Sequence, residues 1–491
     1  MRRNPSPFAL ATVSLLCILI LAACNCGSTT VGPAHPVSLE VTPATQTVAV
    51  GNALAFTAVE LYSDGTKHPP AGAVTWTSGT PATATIVSIA PSSTAANAIA
   101  AALAAGTTTI TATEGTLTPG TADLTVVKGT AHYAYVSNIN DGNIQWYSVT
   151  ATAKPYLTSN GTTPPKGFDP EQAFLHPSGK FMYVIDVLSD VWVYDIAPSS
   201  STTPAPGTPI FTNQIEQIAG DASPDYGVVD PYGRFLYVAN SSDSTIYGYQ
   251  ISRTDGSLTA IQGSPFSDNL NGPQCIIIDH SGGYLYAINA GTGAGSNMVS
   301  AYTIDPLSSA TPGALHVLTA EPTIDTGNFP AFAALDPSGT HIYVANGDNT
   351  VSGYTIGSGG VLSLLSTTTI TNAVSVLNVA VDPSGKYLYV LDGGNPTTTP
   401  PTNGQLYGYT LSNAGVPSTT PITTTPIATG EAPTGIAIDP TGVLIAVDNG
   451  GDTQNPSTIS LFSIGNGGVL TTDTPVATGV NPIFVIFYNA P

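Results

Sequence analysis

Carboxylates and amides recur about every fifty residues at or just before short apolar strands: Asp169, Glu171, Asp225, Gln274, Asn328, Asn378, Glu431 and Asn481. A carboxylate held near a substrate can take a proton from water as a general base. Glu171 and Asp225 are the catalytic candidates on that ground. Several carboxylate, amide and backbone oxygens around one point are hard ligands suited to Ca²⁺. Asp169, Glu171, Asp225 and Glu431 are the calcium candidates, and calcium is the one cofactor these residues suggest. A solvated acidic surface would show the same residues, so both readings stand at this stage. Other chemistries find no support. There is no H-E-x-x-H and no G-x-S-x-G, and the seven His are scattered. Gly291-Thr-Gly-Ala-Gly-Ser296 is glycine-rich, but no helix follows it to present its N-terminus to a phosphate.

Composition narrows the partners. The chain has 491 residues, too many for one ordinary core. Its formal net charge is -21 with only 10 Lys+Arg, which argues against nucleic acid, where clustered cations must neutralise phosphates. Abundant Gly, Pro, Thr, Ser, Val and Tyr point to many short strands joined by turns. Residues 1–23 read as a secretion signal: basic Arg2 and Arg3, an apolar run from Phe8 to Leu21, then Leu21-Ala22-Ala23-Cys24. Small residues before Cys24 look like a lipobox, the signal for lipid attachment to that cysteine. The expectation is an exported chain, lipid-anchored in the cell envelope through Cys24 and a tether over 24–36. In a Gram-negative host that means the outer membrane or the cell surface. No disulfide framework follows from the four Cys; Cys275 reads as a core residue.

Residues 37–127 carry V-T-P, V-G, F-T-A, D-G-T, V-T-W-x-S and A-G-T-x-x-I-T-A in that order. About seven short alternating strands in this length fit an immunoglobulin-type sandwich. The pieces resemble the bacterial Ig-like group 2 family, whose members mostly serve as spacers or adhesive modules. Trp76 is then the inter-sheet core residue. Ala98 to Ala105 has a helix-like composition, but its place in the pattern makes it a strand.

Residues 131–491 repeat one unit. Apolar-x-x-aromatic-x-apolar appears seven times, centred on Tyr147, Tyr194, Tyr249, Tyr302, Tyr354, Tyr409 and Phe462. A turn of the form D-P-x-G precedes six of the copies, as in Asp230-Pro-Tyr-Gly233 and Asp336-Pro-Ser-Gly339. Asp caps such a turn, Pro presets φ and Gly takes the left-handed position. A Tyr follows the Gly by four residues at 183, 237, 286, 343 and 389, and the seventh unit has Ala446 instead. The first unit lacks its leading strand, and Asn481 to Tyr488 supplies one at the other end. The chain is therefore an all-β protein: an Ig-like β-sandwich followed by a seven-bladed β-propeller closed by its C-terminal strand. The cations Lys180, Arg234 and Lys386 directly follow turn glycines and are expected on outer hairpins away from the axis. The Asn or Asp after each second strand (Asn138, Asp186, Asn240, Asn289, Asn346, Asp392, Asp448) reads as a turn former.

The propeller repeat resembles the lactonase-type propellers, the family of bacterial 6-phosphogluconolactonase, and related Y-V-T-N surface repeats. That resemblance implies lactone hydrolysis, and in related lactonases a calcium at the axis. The family's functional residues are mostly replaced. Its Pro-His falls on Pro170-Glu171, its Pro-Arg-His on Pro273-Gln274-Cys275 and its Asn-Glu on Asn289-Ala290. Its D-L-G-x-D-R falls on Asp186 to Val191, keeping both Asp but losing the Gly and Arg. The leading expectation is a binding or scaffold lipoprotein. Its propeller face would bind a protein, glycan or small-molecule ligand, presented by the Ig-like spacer. The alternative is a lactonase-type hydrolase, calcium-assisted, with Glu171 or Asp225 as base.

Overall fold

The computed structural model describes residues 33–491 except 90–94, 129–130, 151–153, 155, 164–168, 188–189, 199, 216–223, 268, 293–295, 396–402, 424, 452–456 and 490–491. The signal segment, Cys24 and most of the tether lie outside the described residues. Among the described residues no helix is long and apolar enough to cross a membrane.

The N-terminal unit is a sandwich of two sheets. One runs Pro36–Thr42, Ala53–Tyr62, Ala96–Ala102, Ala84–Ile89, with Lys67–His68 also paired to Ala53–Tyr62. The other runs Thr45–Ala49, Gly120–Val127, Gly106–Thr113, Thr75–Ser78. Alternating side chains along Gly120–Val127 bury Ala122, Leu124 and Val126 against Phe56, Trp76 and Ile110, the inter-sheet core. The alanine-rich strand is buried on both faces. Ala98, Ala100 and Ala102 join the sandwich core, while Ile99 and Ala101 pack against Tyr232 of the propeller. Small side chains suit a strand squeezed from two sides, which is why its composition mimics a helix.

The seven blades follow in chain order, each a path of four strands, with a fifth short strand in blades four and seven. Blade one pairs Ala131–Asn138, Asn143–Val149 and Leu157–Thr162 with Pro482–Asn489 from the other end of the chain. Tyr133 lies opposite Tyr488, Tyr135 opposite Ile486 and Ser137 opposite Phe484 in that closing pair. The leading strands form the inner ring: Pro170–Leu175, Pro224–Val229, Pro273–Ile278, Pro330–Leu335, Val376–Val381, Pro433–Ile438 and Pro482–Asn489 each contact the next.

Two devices recur around the ring. At the turn between first and second strands, one Asp carboxylate oxygen accepts two backbone N–H groups. Asp279 takes those of Gly283 and Tyr284, Asp336 those of Thr340 and His341, and Asp382 those of Lys386 and Tyr387. The second device joins neighbouring blades. Tyr135, Tyr183, Tyr237, Tyr286, Tyr343 and Tyr389 each donate a hydroxyl hydrogen bond of 2.6–2.9 Å. The acceptors are the carbonyls of Gly207, Gly256, Gly313, Gly360, Gly415 and Gly468, each in the outer hairpin of the next blade. Glycine is required there. Gly313 has φ 81°, and a Cβ on it would sit 2.7 Å from the Phe235 ring. Blade seven has Leu444 and Ala446 where the other blades have an aromatic and the Tyr.

Two sequence expectations change. Lys180, Arg234 and Lys386 are not on outer hairpins: the turns they follow join first to second strands, so they lie on the lower face around the axis. Arg234 is buried there, paired with Asp230 at 2.7 Å and donating to the Gly282 carbonyl. Asn289 and Asn346, after the second strands of blades four and five, are buried braces more than turn formers, whereas Asn240 in blade three is buried with no side-chain hydrogen bond. Asn289 donates to Ala287 O, Met298 O and Ser300 Oγ, and Asn346 to Val344 O, Thr350 Oγ1 and Ser352 Oγ. In blade seven Asn449, not Asp448, fills that role.

The sandwich docks on the lower face. Ala53 N–H donates to Pro177 O at 3.0 Å, and Tyr232 hydroxyl donates to Thr85 Oγ1 at 2.7 Å. Pro36–Thr42 runs from the far end of the sandwich, where Pro36 lies opposite Tyr62, so the N-terminus enters away from the propeller.

Replacing Tyr237 with Phe leaves the Gly313 carbonyl without its partner and should cost about 1–2 kcal/mol. Gly313→Ala should cost more, through its backbone conformation and its clash. Thermal unfolding of the two variants checks both; equal, negligible losses would deny the latch its role.

Candidate functional site

The upper face, opposite the sandwich, is built by the loops leading into the inner strands. In six blades the inner strand begins with Pro, and in three of these a single residue directly after the Pro is skipped by the ladder register. The slips lie between Pro170 and Gln172, Pro224 and Tyr226, and Pro273 and Cys275. The residues between, Glu171, Asp225 and Gln274, are therefore bulged out of the pairing. A bulge re-aims a side chain that a regular strand would place elsewhere.

Glu171 and Asp225 are thus equivalent positions on adjacent blades, and their charges interact. Burial pushes the Glu171 carboxyl up to about 7, and the neighbouring Asp225 adds to the rise. Burial also raises Asp225, opposed by the Ser241 N–H that its Oδ2 accepts at 2.7 Å. One of two adjacent carboxyls is thereby protonated across part of the neutral range, the condition for acid–base exchange or for donating a hydrogen bond.

The other candidates scatter. Asp169 is exposed, and its carbonyl accepts the Val187 N–H. Glu431 lies across the ring on blade seven, its carbonyl accepting the Gly451 N–H at 3.3 Å. Asn378 is buried deeper in the channel and directs its Nδ2 to Thr434 O. Asn328 accepts from Asn297 at the rim. Among the described residues no three His, Cys, Asp or Glu gather where they could hold one metal ion. Asp169, Glu171, Asp225 and Glu431 are not a single carboxylate cage for calcium. Cys275 is fully buried, with its thiol pushed up to about 12 by burial, which makes it a core residue.

Three features escape a reading of the sequence. First, the rim carries exposed apolar side chains. Phe329 is 73% exposed, Val374 52% and Val480 52%, all in loops preceding inner strands. Phe329 has φ 55°, a conformation that a bulky residue rarely adopts. Its N–H donates to Asn297 Oδ1 at 3.0 Å, which fixes the loop in that shape. Second, the channel is plugged. Tyr226 packs edge-on against Phe332 at 5.8 Å and Phe484 at 6.3 Å. These rings come from blades three, five and one, so they meet across the axis. Gln172 holds the Tyr226 strand by accepting the Gly227 N–H at 2.6 Å. Third, Asp448 occupies a second-strand position that is Ile288 in blade four and Ala345 in blade five. It is fully buried, one oxygen accepts the Gly435 N–H and Oδ2 has no partner. Burial pushes this carboxyl up to about 7. Gly435 makes the room, because a Cβ there would meet the carboxyl at 2.8 Å.

Comparison with known proteins agrees with this architecture. Residues 37–130 match the bacterial Ig-like domain (group 2), and residues 122–316 match the family described as lactonase, 7-bladed β-propeller. No curated protein matches the chain. Among solved structures, a putative 6-phosphogluconolactonase from Bacteroides fragilis is 19% identical with a TM-score of 0.58, covering 72% of this chain and 97% of its own. The periplasmic gluconolactonase of Pseudomonas aeruginosa is 19% identical with a TM-score of 0.57, covering 74% of this chain and 100% of its own. At that identity the likeness establishes the fold alone.

Folded Asp448 keeps its proton up to about pH 7, whereas the unfolded chain releases it in the ordinary carboxylate range. Its contribution to stability is largest at low pH and is lost as pH rises toward 7. Asp448→Asn should gain on the wild type by up to about 1.4 kcal/mol per pH unit across that window. Parallel stability curves from pH 4 to 8 would show that the carboxyl does not carry a raised pKa.

Proposed function

Starting from an Ig-like domain joined to a lactonase-type seven-bladed propeller, we propose that this chain is an exported, lipid-anchored recognition module. In this reading Cys24 carries the lipid and the Ig-like domain is the spacer. The upper face of the propeller, turned away from the anchor, binds a protein, glycan or small ligand. The observation that carries the reading is the rim of that face. Exposed Phe329, held in an unfavourable backbone conformation, stands with Val374 and Val480 around an acidic mouth. A bulky aromatic held in a strained backbone conformation is the kind of feature that gathers at ligand-binding sites. An aromatic ring beside amides and carboxylates suits a ligand with both apolar and hydrogen-bonding groups.

A second reading rests on Glu171 and Asp225. A carboxyl with a pKa of about 7 beside another carboxylate is suited to general-base attack of water on a lactone carbonyl. Against it stands that, among the described residues, no cation lies near the mouth to stabilise the developing oxyanion. Lys180, Arg234 and Lys386 lie on the opposite face, so the described residues offer the 6-phosphate of a phosphogluconolactone no Arg or Lys at this mouth.

One assay separates the two. The soluble fragment 27–491 is mixed with glucono-δ-lactone and with its 6-phosphate, and acid release is followed from pH 5 to 9. The recognition reading expects no turnover above the spontaneous rate. Turnover that rises with pH through about 7 and disappears in Glu171→Gln would replace it with the hydrolase reading.

A further inference from the structure

Below the aromatic plug the channel does not open to solvent in the ordinary way. The docked Ig-like domain roofs it, leaving a cavity of about 590 Å³ between the two domains. Its walls come from Ile436 and Ile438 of blade seven, Phe487 of the closing strand and Val381 of blade six, with Ala101 and Leu103 of the sandwich above. This volume is within the usual range of small-molecule sites, about 300–1,000 Å³, and such sites favour domain interfaces. Phe484 belongs to both the plug and the cavity wall, so the chamber is closed off from the acidic mouth by one layer of rings.

Two polar groups mark the chamber. His280 lines it with a buried Nδ1 that has no hydrogen-bond partner, and burial lowers its pKa, which favours the neutral ring. Lys128, the last described residue before the propeller, also lines it and is exposed. Asp382, a turn carboxylate that lines a surface recess together with Lys128, has its oxygens occupied by the N–H groups of Ser384, Lys386 and Tyr387. Lys128 has no ion-pair partner among the described residues. In a chain of net charge -21, a cation left unpaired at the edge of an apolar chamber is a selective feature.

We propose that this interdomain chamber binds an apolar molecule with one anionic head, of the class of a medium-chain carboxylate. The chain fills the space between Ile436, Ile438 and Phe487, and the head meets Lys128. This site is independent of the upper face and of whatever that face binds.

Titration calorimetry of fragment 27–491 with decanoate, and with decanol as the uncharged counterpart, tests the proposal. Both should bind saturably at one site, decanoate more tightly. Lys128→Gln should bring decanoate down to the level of decanol and leave decanol unchanged. Ala104→Trp, at an exposed position on the chamber edge, should weaken both at least tenfold with an unaltered melting temperature. Ala437→Leu provides a second filling variant if the first misfolds. Phe329→Ala, on the other face, should change neither. Absence of saturable binding, or binding that survives both filling variants, overturns the site. Decanoate binding indifferent to Lys128→Gln overturns the anionic part of the proposal.

Discussion

The propeller depends on one short contact repeated around the ring. A Tyr hydroxyl from the second strand of each blade reaches the carbonyl of a left-handed Gly in the next blade's outer hairpin. The residue two before that Tyr packs on the same glycine: Phe235 covers Gly313 just as Phe181 covers Gly256. Each contact satisfies a buried hydroxyl that would otherwise be costly. It also sets the angle between blades, because both partners are fixed within their own sheets. Blades one to six supply it, and blade seven does not. At that junction Tyr147 of blade one donates instead to the Ala477 carbonyl of blade seven and Lys154 pairs with Asp473, while Pro482–Asn489 from the chain end joins Ala131–Asn138 to complete blade one. A purely modular ring would be weakest at its seam; here covalent continuity through blade one replaces the missing latch.

Closing the ring creates two faces, and the chain treats them differently. The lower face consists of tight Asp-capped turns with little freedom, and the Ig-like domain rests on it through Tyr232, Thr85 and the strand Ala96–Ala102. The upper face consists of loops released from strict pairing by bulges, which is where variable side chains can be displayed at little structural cost. Glu171, Asp225, Gln274 and Phe329 all use that freedom. Rings from three blades divide the channel between the faces, so chemistry at one mouth is insulated from the other.

Most of the architecture was legible in the sequence because its signals are local and repeated. Turn residues, strand alternation and the displaced C-terminal strand each follow from spacing alone. The latch was half visible: the Tyr spacing showed, but its glycine partners lie some seventy residues on in another blade, and no local pattern links them. The site was less legible. Glu171 and Asp225 stand out as acids after Pro, yet their raised pKa values come from burial that only the ring creates. Asp448 was hidden by its neighbour Asn449, because a single slip of register exchanges a brace for a buried acid. The aromatic plug joins Tyr226, Phe332 and Phe484 across three blades, beyond the reach of any repeat pattern. The position of Arg234 was misjudged because a turn motif tells its own shape but not which edge of the blade it occupies.

The central claim is that the two domains form one rigid unit, with the lower face covered and the upper face free. Distance measurement by pulsed electron paramagnetic resonance tests it most directly. Spin labels are placed on fragment 27–491 at Thr116→Cys in an exposed sandwich turn and Val443→Cys beside a lower-face turn of blade seven. The native Cys275 is fully buried and stays unlabelled. A single narrow distance distribution, unchanged by salt, is the predicted result. A broad distribution would mean that the sandwich swings freely, and neither the covered face nor the chamber beneath it would then exist as described.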